Sequence, residues 1–289
     1  MEIKSVLDRL SDLRSTVHLA HDPLLFCHRY PDPADQEIVA VIASSFAYGS
    51  VEIIMRTLES IFAGFGDSPR RFVEQFDPKR GLRVFNGFKH RFNDASDLCA
   101  LLWAIRVMLE ESGSVNAFFL RFHETDNEDV TDSLNGYTAA ILAQDYQPVF
   151  GCKHIPATSY FKFLFPAPQA GSACKRLCMF LRWVTRPSDG IDLGIWRGIA
   201  TSQLIIPVDT HIRRISGYLG LTSRKSADWR MAQEITKALR QLDPVDPVKY
   251  DFSLAHVGIS DGCDGAGSSH CRLCLLNGIC MKHGADTVL

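Results

Sequence analysis

The sequence predicts an all-α protein that ends in a metal-binding loop. Three observations carry this prediction. Apolar residues recur at helical spacing through most of the chain, runs of alternating β-branched residues are scarce, and four cysteines crowd into one short segment near the C-terminus. The chain has 289 residues, of which 46% are hydrophobic and 22% charged. That is enough for one large domain or for two lobes with real cores.

Taken in order, residues 36–63 place apolar side chains at i, i+3 and i+4 on both sides of Ala47-Tyr48-Gly49-Ser50. They read as two helices joined by a tight turn at Gly49. Residues 95–109 read as a buried helix with Ser96 as its N-cap. Residues 114–122 and 131–144 form two more. Residues 170–184 read as a strong helix capped by Ser172, with Leu177, Phe180, Leu181 and Val184 facing a core. Residues 211–220 and 227–242 complete the set, the last ending at Asp243-Pro244. Residues 145–169 and 186–206 are loop-like connections that can carry function. No internal repeat or low-complexity tract is present.

Charge and hydropathy exclude several classes. The net charge is -2, so a strongly basic nucleic-acid coat is absent and any such surface must be local. No apolar run is long enough to span a bilayer, and the first residues do not resemble a secretory signal. Nine cysteines without an export signal point to a reducing cytoplasm, where clustered thiols hold metal more often than disulfides.

The cluster reads Cys263-x7-Cys271-x2-Cys274-x5-Cys280, all within 18 residues. Thiolates suit iron–sulfur clusters or zinc. Zinc ribbons use two separate Cys-x2-Cys hooks, whereas this segment has one hook with a single cysteine on either side. A single loop around a [4Fe-4S] cubane fits that spacing better, and zinc is the alternative. Cys27, Cys99, Cys152, Cys174 and Cys178 sit in apolar contexts and read as small core residues.

Upstream, Leu204-Ile205-Ile206-Pro207-Val208 delivers Asp209 to the start of a helix. Two roles are open to it. Asp209 or Thr210 is the N-cap, or Asp209 is a carboxylate beside a cleft that stabilises positive charge or deprotonates a nucleophile.

Val208-Asp209-Thr210-His211-Ile212-x-Arg214-Ile215, followed by the compact cysteine loop, resembles the helix-hairpin-helix DNA glycosylases, with endonuclease III and the adenine glycosylases nearest in layout. In that superfamily this aspartate is the catalytic acid and the cysteines hold a [4Fe-4S] cluster. The first cysteine gap has seven residues here against the family's six. Residues 35–68 resemble the early helix pair whose turn inserts a residue into the DNA stack. The family's Leu-Pro-Gly-Val-Gly hairpin is replaced by Asp189-Gly190-Ile191-Asp192-Leu193-Gly194-Ile195-Trp196, with no lysine at the nucleophile position, so a remodelled hairpin is expected. Lys175 lies 34 residues before Asp209. Archaeal 8-oxoguanine glycosylases have a similar long spacing, and by that resemblance Lys175 is a candidate Schiff-base nucleophile, its amine freed by burial beside Arg176. The Lys-Arg-x-x-x-Phe-Leu-Arg-Trp, Asp-Leu-Gly-x-Trp and Asp-Thr-His pattern is also similar to that of an uncharacterised bacterial family.

The resemblance implies two lobes with a cleft between them. A segment at 1–34 would pack with a C-terminal lobe at 189–289, around a helical-bundle lobe at 35–188. It implies a base-excision glycosylase with a lyase step, acting as a monomer on double-stranded DNA that carries a damaged base such as an oxidised purine, in a bacterial cytoplasm at the nucleoid. The alternative is a non-catalytic iron–sulfur protein that binds nucleic acid. Implied DNA contacts are Phe46, Tyr48, Arg176, His211 and Arg213. Tyr160, Phe161, Phe163, Phe165 and Trp183 are candidates for a base pocket, although core packing is the commoner role of buried aromatics. Basic residues gather around 70–91, 175–186 and 213–230, where phosphate contacts would fall.

Overall fold

The computed structural model describes residues 2–13, 16–266 and 270–282. Its helices are α1 (Ile3–Asp12), α2 (Pro33–Ser45), α3 (Val51–Phe62), α4 (Pro69–Glu74), α5 (Pro78–Val84), α6 (Ala95–Ser112), α7 (Val115–Leu120), α8 (Thr131–Leu142), α9 (Gln147–Phe150), α10 (Lys175–Thr185), α11 (Thr210–Tyr218), α12 (Trp229–Leu242), α13 (Asp251–Ile259) and α14 (His270–Leu273). The strands among the described residues are β1 (Lys89–His90) and β2 (Asn93–Asp94), an antiparallel hairpin. Among the described residues, no helix is long and apolar enough to cross a membrane.

Local chemistry sets the helix starts. Asp32, Ser50, Ser68, Asp77, Ser114, Asp209 and Asp228 each accept a backbone N–H from the first turn that follows. Each such cap contributes about 1 kcal/mol. The expected pair flanking Gly49 appears as α2 and α3, with Gly49 at φ 109 in the turn.

Two expected caps are corrected. Helix α6 is capped by Asp94, not Ser96. The Asp94 carboxylate accepts from the Ser96 and Asp97 amides, and Asp97 accepts from the Asp94 amide in return at 3.2 Å. This reciprocal pair satisfies more free amides than a lone serine can. Helix α10 begins at Lys175 rather than near 170, and Ser172 does not cap it. Residues 171–172 are held across to α12 instead, by the Ser172–Asp228 bridge and the Trp229 amide donating to the Gly171 carbonyl.

The buried apolar residues form one continuous core from Val6 to Leu276, so neither expected boundary, 34/35 or 188/189, interrupts it. Helix α1 packs on α13, while the 3-10 helix Pro23–Arg29 packs on α2 and α3. Cys27, Cys99, Cys174 and Cys178 are buried as expected; Cys152 is exposed, on the loop after α9, and is not a core residue.

The segment 189–199, where the sequence lacks the hairpin consensus, is not a helical hairpin. It folds back along α10 as an irregular strap. The Leu193 amide donates to the Trp183 carbonyl and the Trp196 amide to the Val184 carbonyl, both at 2.7 Å. Gly194 has φ 62, and a Cβ there would lie 2.6 Å from the Ser188 nitrogen, so the strap closes only with glycine. Trp196 Nε1 donates to Glu37 at 2.7 Å, and the same carboxylate accepts the Val115 and Asn116 amides at the start of α7. The Asp-Leu-Gly-x-Trp pattern thus ties α10 to α2 and α7. Its backbone donors at 193 and 196 point inward and do not offer a phosphate site.

A candidate cleft and a cysteine cavity

A cleft of about 720 Å³ is lined by residues from both ends and the middle of the chain. Helix α10 supplies one wall with Lys175, Met179, Arg182 and Trp183, which recur at helical spacing. Asp209 and His211 come from the start of α11, Asp251 and His256 from α13, and His21 and Asp22 from the N-terminal segment. Lys175 and Asp209, remote in sequence, therefore face one space. Lys175 is half-buried, and its ammonium has no hydrogen bond or ion pair among the described residues. Asp209 accepts the Ile212 amide at 2.8 Å, so the N-cap role is real. Its place in the cleft wall leaves the second role open to the same carboxylate.

Beneath the cleft lies a buried ion network. Arg182 donates to Asp192 at 3.2 Å and also to Asp251; Arg186 donates to Asp246 at 2.9 Å, to Asp189 at 3.1 Å and to Asp192. Two guanidinium groups thus face four carboxylates. Burial, only partly offset by Arg182, raises the Asp251 carboxyl to about 6, and the nearby Asp209 charge adds to the rise. Burial also raises Asp246 and Asp22; for Asp22 the Leu24 amide and then the charges of Arg182 and Lys175 work against it. For Arg182 the balance runs the other way, since the surrounding carboxylates outweigh burial and raise its value. Burial among more carboxylates than guanidinium groups explains both directions: the arginines stay charged and the Asp251 carboxyl is pushed up.

Trp183 is fully buried, lines the cleft, and its indole N–H has no partner among the described residues. A buried donor left unmade costs roughly 1–3 kcal/mol, a cost that the fold carries at Trp183.

The expected DNA contacts divide. Phe46 is fully buried, edge-on to Phe88 and His90, and has no surface from which to enter a DNA stack. The apolar end of α2 draws it into the core. Arg176 is also buried, donating to the Ser45 carbonyl at 2.8 Å and to the Phe163 carbonyl, beneath the rings of Tyr48 and Phe163. Burial lowers its value to about 10, so it stays cationic while holding α10 to the end of α2. It is a structural anchor, not a phosphate contact. Tyr48 is half-buried at the cleft, with its hydroxyl donating to the His90 carbonyl at 2.9 Å. His211 lies in the cleft wall; Arg213 is exposed outside it and donates to the Lys225 carbonyl at 3.2 Å. Phe161 and Phe165 are core residues, whereas Tyr160 and Phe163 are exposed.

The four cysteines line one small cavity together with Ile215, Leu219, Val257 and Leu276. Backbone bonds fasten this loop to the body: the Cys263 amide donates to the Val257 carbonyl at 3.1 Å and the Met281 amide to the Tyr218 carbonyl at 2.8 Å. Arg214, from α11, donates to the Cys263 carbonyl. A Cβ at Gly265 would fall 1.9 Å from the Tyr218 hydroxyl, which explains a glycine beside the first cysteine. Among the described residues, no group of three or more His, Cys, Asp or Glu side chains is set to hold a single metal ion. Four thiols around a shared apolar cavity nonetheless fit the donor set of a cluster.

Residues 22–260 match the model of a family described as a protein of unknown function, DUF2400. The chain belongs to this family. No curated protein matches it. The matched span holds every cleft residue named above except His21, and it ends before the cysteine loop. Asp22 and Asp251 escape a sequence reading because each looks like an ordinary start to a helix; only the cleft brings them beside Asp209.

Proposed function

We propose that the chain is a DNA base-excision glycosylase with a lyase step. It would act on duplex DNA carrying a damaged base, with a [4Fe-4S] cluster held by Cys263, Cys271, Cys274 and Cys280. One observation carries the reading: Lys175 and Asp209 share a cleft large enough for a nucleobase, with Trp183 in its wall. As the free amine, Lys175 Nζ attacks C1′ while the C1′–N bond breaks and the base leaves with a proton. Asp209 stabilises the positive charge that develops on the sugar. Opening of the sugar ring gives a Schiff base, from which the 3′ C–O bond can be eliminated. Entry of the base into the cleft requires that it leave the duplex. A cluster would brace the C-terminal loop against α11 and α13 and takes no part in these steps.

The inward-facing strap at 189–199 favours a second reading, a nucleic-acid-binding protein without catalysis. Borohydride trapping on a panel of duplexes with oxidised, deaminated and abasic sites separates the two. The wild-type protein should trap at least one substrate, and Lys175→Gln should lose at least about 1,000-fold of that signal. Asp209→Asn keeps a good N-cap, so it should slow base release about 100-fold or more without unfolding the protein. Trapping by wild type and Lys175→Gln alike sinks the nucleophile, and no trapping on any substrate leaves the binding reading.

A further inference from the structure

Beside the cleft lies an aromatic surface that the proposed chemistry does not use. The turn of the β1–β2 hairpin is Arg91-Phe92, with Arg91 at φ 52. Phe92 is 46% exposed and stacks on Tyr160, itself 51% exposed, with ring centres 5.4 Å apart and planes 22° from parallel. Phe163, 42% exposed, meets Phe92 edge-on at 6.0 Å and also forms part of the cleft wall. The rings therefore run from open solvent to the lip of the cleft.

The surface is held firmly. Asn93 Nδ2 donates to the Tyr160 carbonyl at 3.1 Å, joining the hairpin to the loop that carries the other two rings. The Tyr48 hydroxyl donates into the hairpin at His90, and the buried His90 ring is bonded to Thr57 at 2.9 Å. Preorganised rings lose little freedom on binding.

The charges around the rings identify the partner. Lys89, Arg91 and Lys162 are exposed on the same two segments, and the Arg91 guanidinium lies 5.5 Å from the Phe92 ring centre. Asp94, on the same hairpin, is engaged as the cap of α6. Flat exposed faces interleaved with cations suit bases stacking while phosphates lie alongside. Protein partners, by contrast, select against lysine.

We infer that Phe92, Tyr160 and Phe163 form a stacking platform for bases of a DNA strand unpaired beside the cleft. This rests on the DNA reading above. Its test uses the full chain and a duplex with a three-nucleotide bubble containing 2-aminopurine, against the same duplex fully paired. Wild type should bind the bubble more tightly and quench the fluorophore by stacking. Phe92→Ala and Tyr160→Ala should each lose about 10-fold of bubble affinity, leave paired-duplex affinity within about two-fold, and keep the melting temperature; Phe92→Trp should restore binding. Equal bubble binding and quenching by the Phe92→Ala/Tyr160→Ala variant overturns the platform while leaving the glycosylase reading intact. A wild-type dimer that falls to monomer in Phe92→Ala overturns it in favour of self-association. Wild type that binds neither DNA overturns both readings.

Discussion

The cysteine loop and the cleft are built in opposite ways. The loop carries its four thiols within 18 consecutive residues, and the same four line one cavity. The cleft gathers Asp22, Lys175, Asp209 and Asp251 from positions spread across most of the chain, over a network of two arginines and four aspartates. A site made by local spacing is visible in sequence and can be lost without disturbing the rest. A site made by packing is hidden in sequence and depends on the core that assembles it.

The two sites should therefore separate under mutation, and the largest effect should fall on the loop. On the proposed reading, Cys274→Ser removes one of four cluster ligands and should abolish bound iron and its broad visible absorption. Helical circular dichroism of the body should survive. A colourless wild-type protein that binds stoichiometric zinc would replace the iron–sulfur assignment.

The next effect falls on the cleft floor. Asp192 is fully buried and pairs with both Arg182 and Arg186, so Asp192→Asn breaks two buried ion pairs at once and should cost about 3–5 kcal/mol in denaturant unfolding. Iron content per folded molecule should not change. If iron falls in step with stability, the two sites are coupled and the contrast between them fails.

A smaller effect tests the floor chemically. Trp183→Phe keeps a ring and removes the buried, unpaired N–H, so stability in denaturant unfolding should stay level or rise slightly. A loss of more than about 1 kcal/mol would mean that the indole N–H has a partner in the folded chain.

The smallest effect is a dependence on pH. Burial raises the Asp251 carboxyl from 3.8 to about 6, so the folded chain holds this proton longer than the unfolded chain does. Its contribution is complete below the unfolded value and is lost as pH rises through the folded one. Asp251→Asn should therefore match wild type near pH 4 and gain on it by roughly 1–2 kcal/mol by pH 7. A variant that is much weaker at pH 7 would show that pairing with Arg182 outweighs burial.

Much of the fold was legible beforehand. The helices α2, α3, α6, α8, α10, α11 and α12 are visible in the sequence: α3, α11 and α12 bury one face and repeat their apolar residues accordingly, whereas α2 and α10 are buried all round and show as dense apolar stretches. The short helices α4 and α5 and the hairpin β1–β2 escaped notice, being too brief to show a period. Ser96 and Ser172 were misleading caps, since Asp94 offered a reciprocal pair and residues 171–172 were claimed by α12. The buried roles of Phe46 and Arg176 had no local signature.

By itself, the sequence determined the helical class, the cysteine set and the motif that presents Asp209, because helix periods, ligand spacing and N-caps are local properties of a chain. Only the tertiary structure decided that Lys175, Asp209, Asp22 and Asp251 line one cleft, and that Phe92 rather than Phe46 meets solvent. Those outcomes depend on which helix faces pack together, and burial, charge pairing and exposure take their values only after that packing is complete.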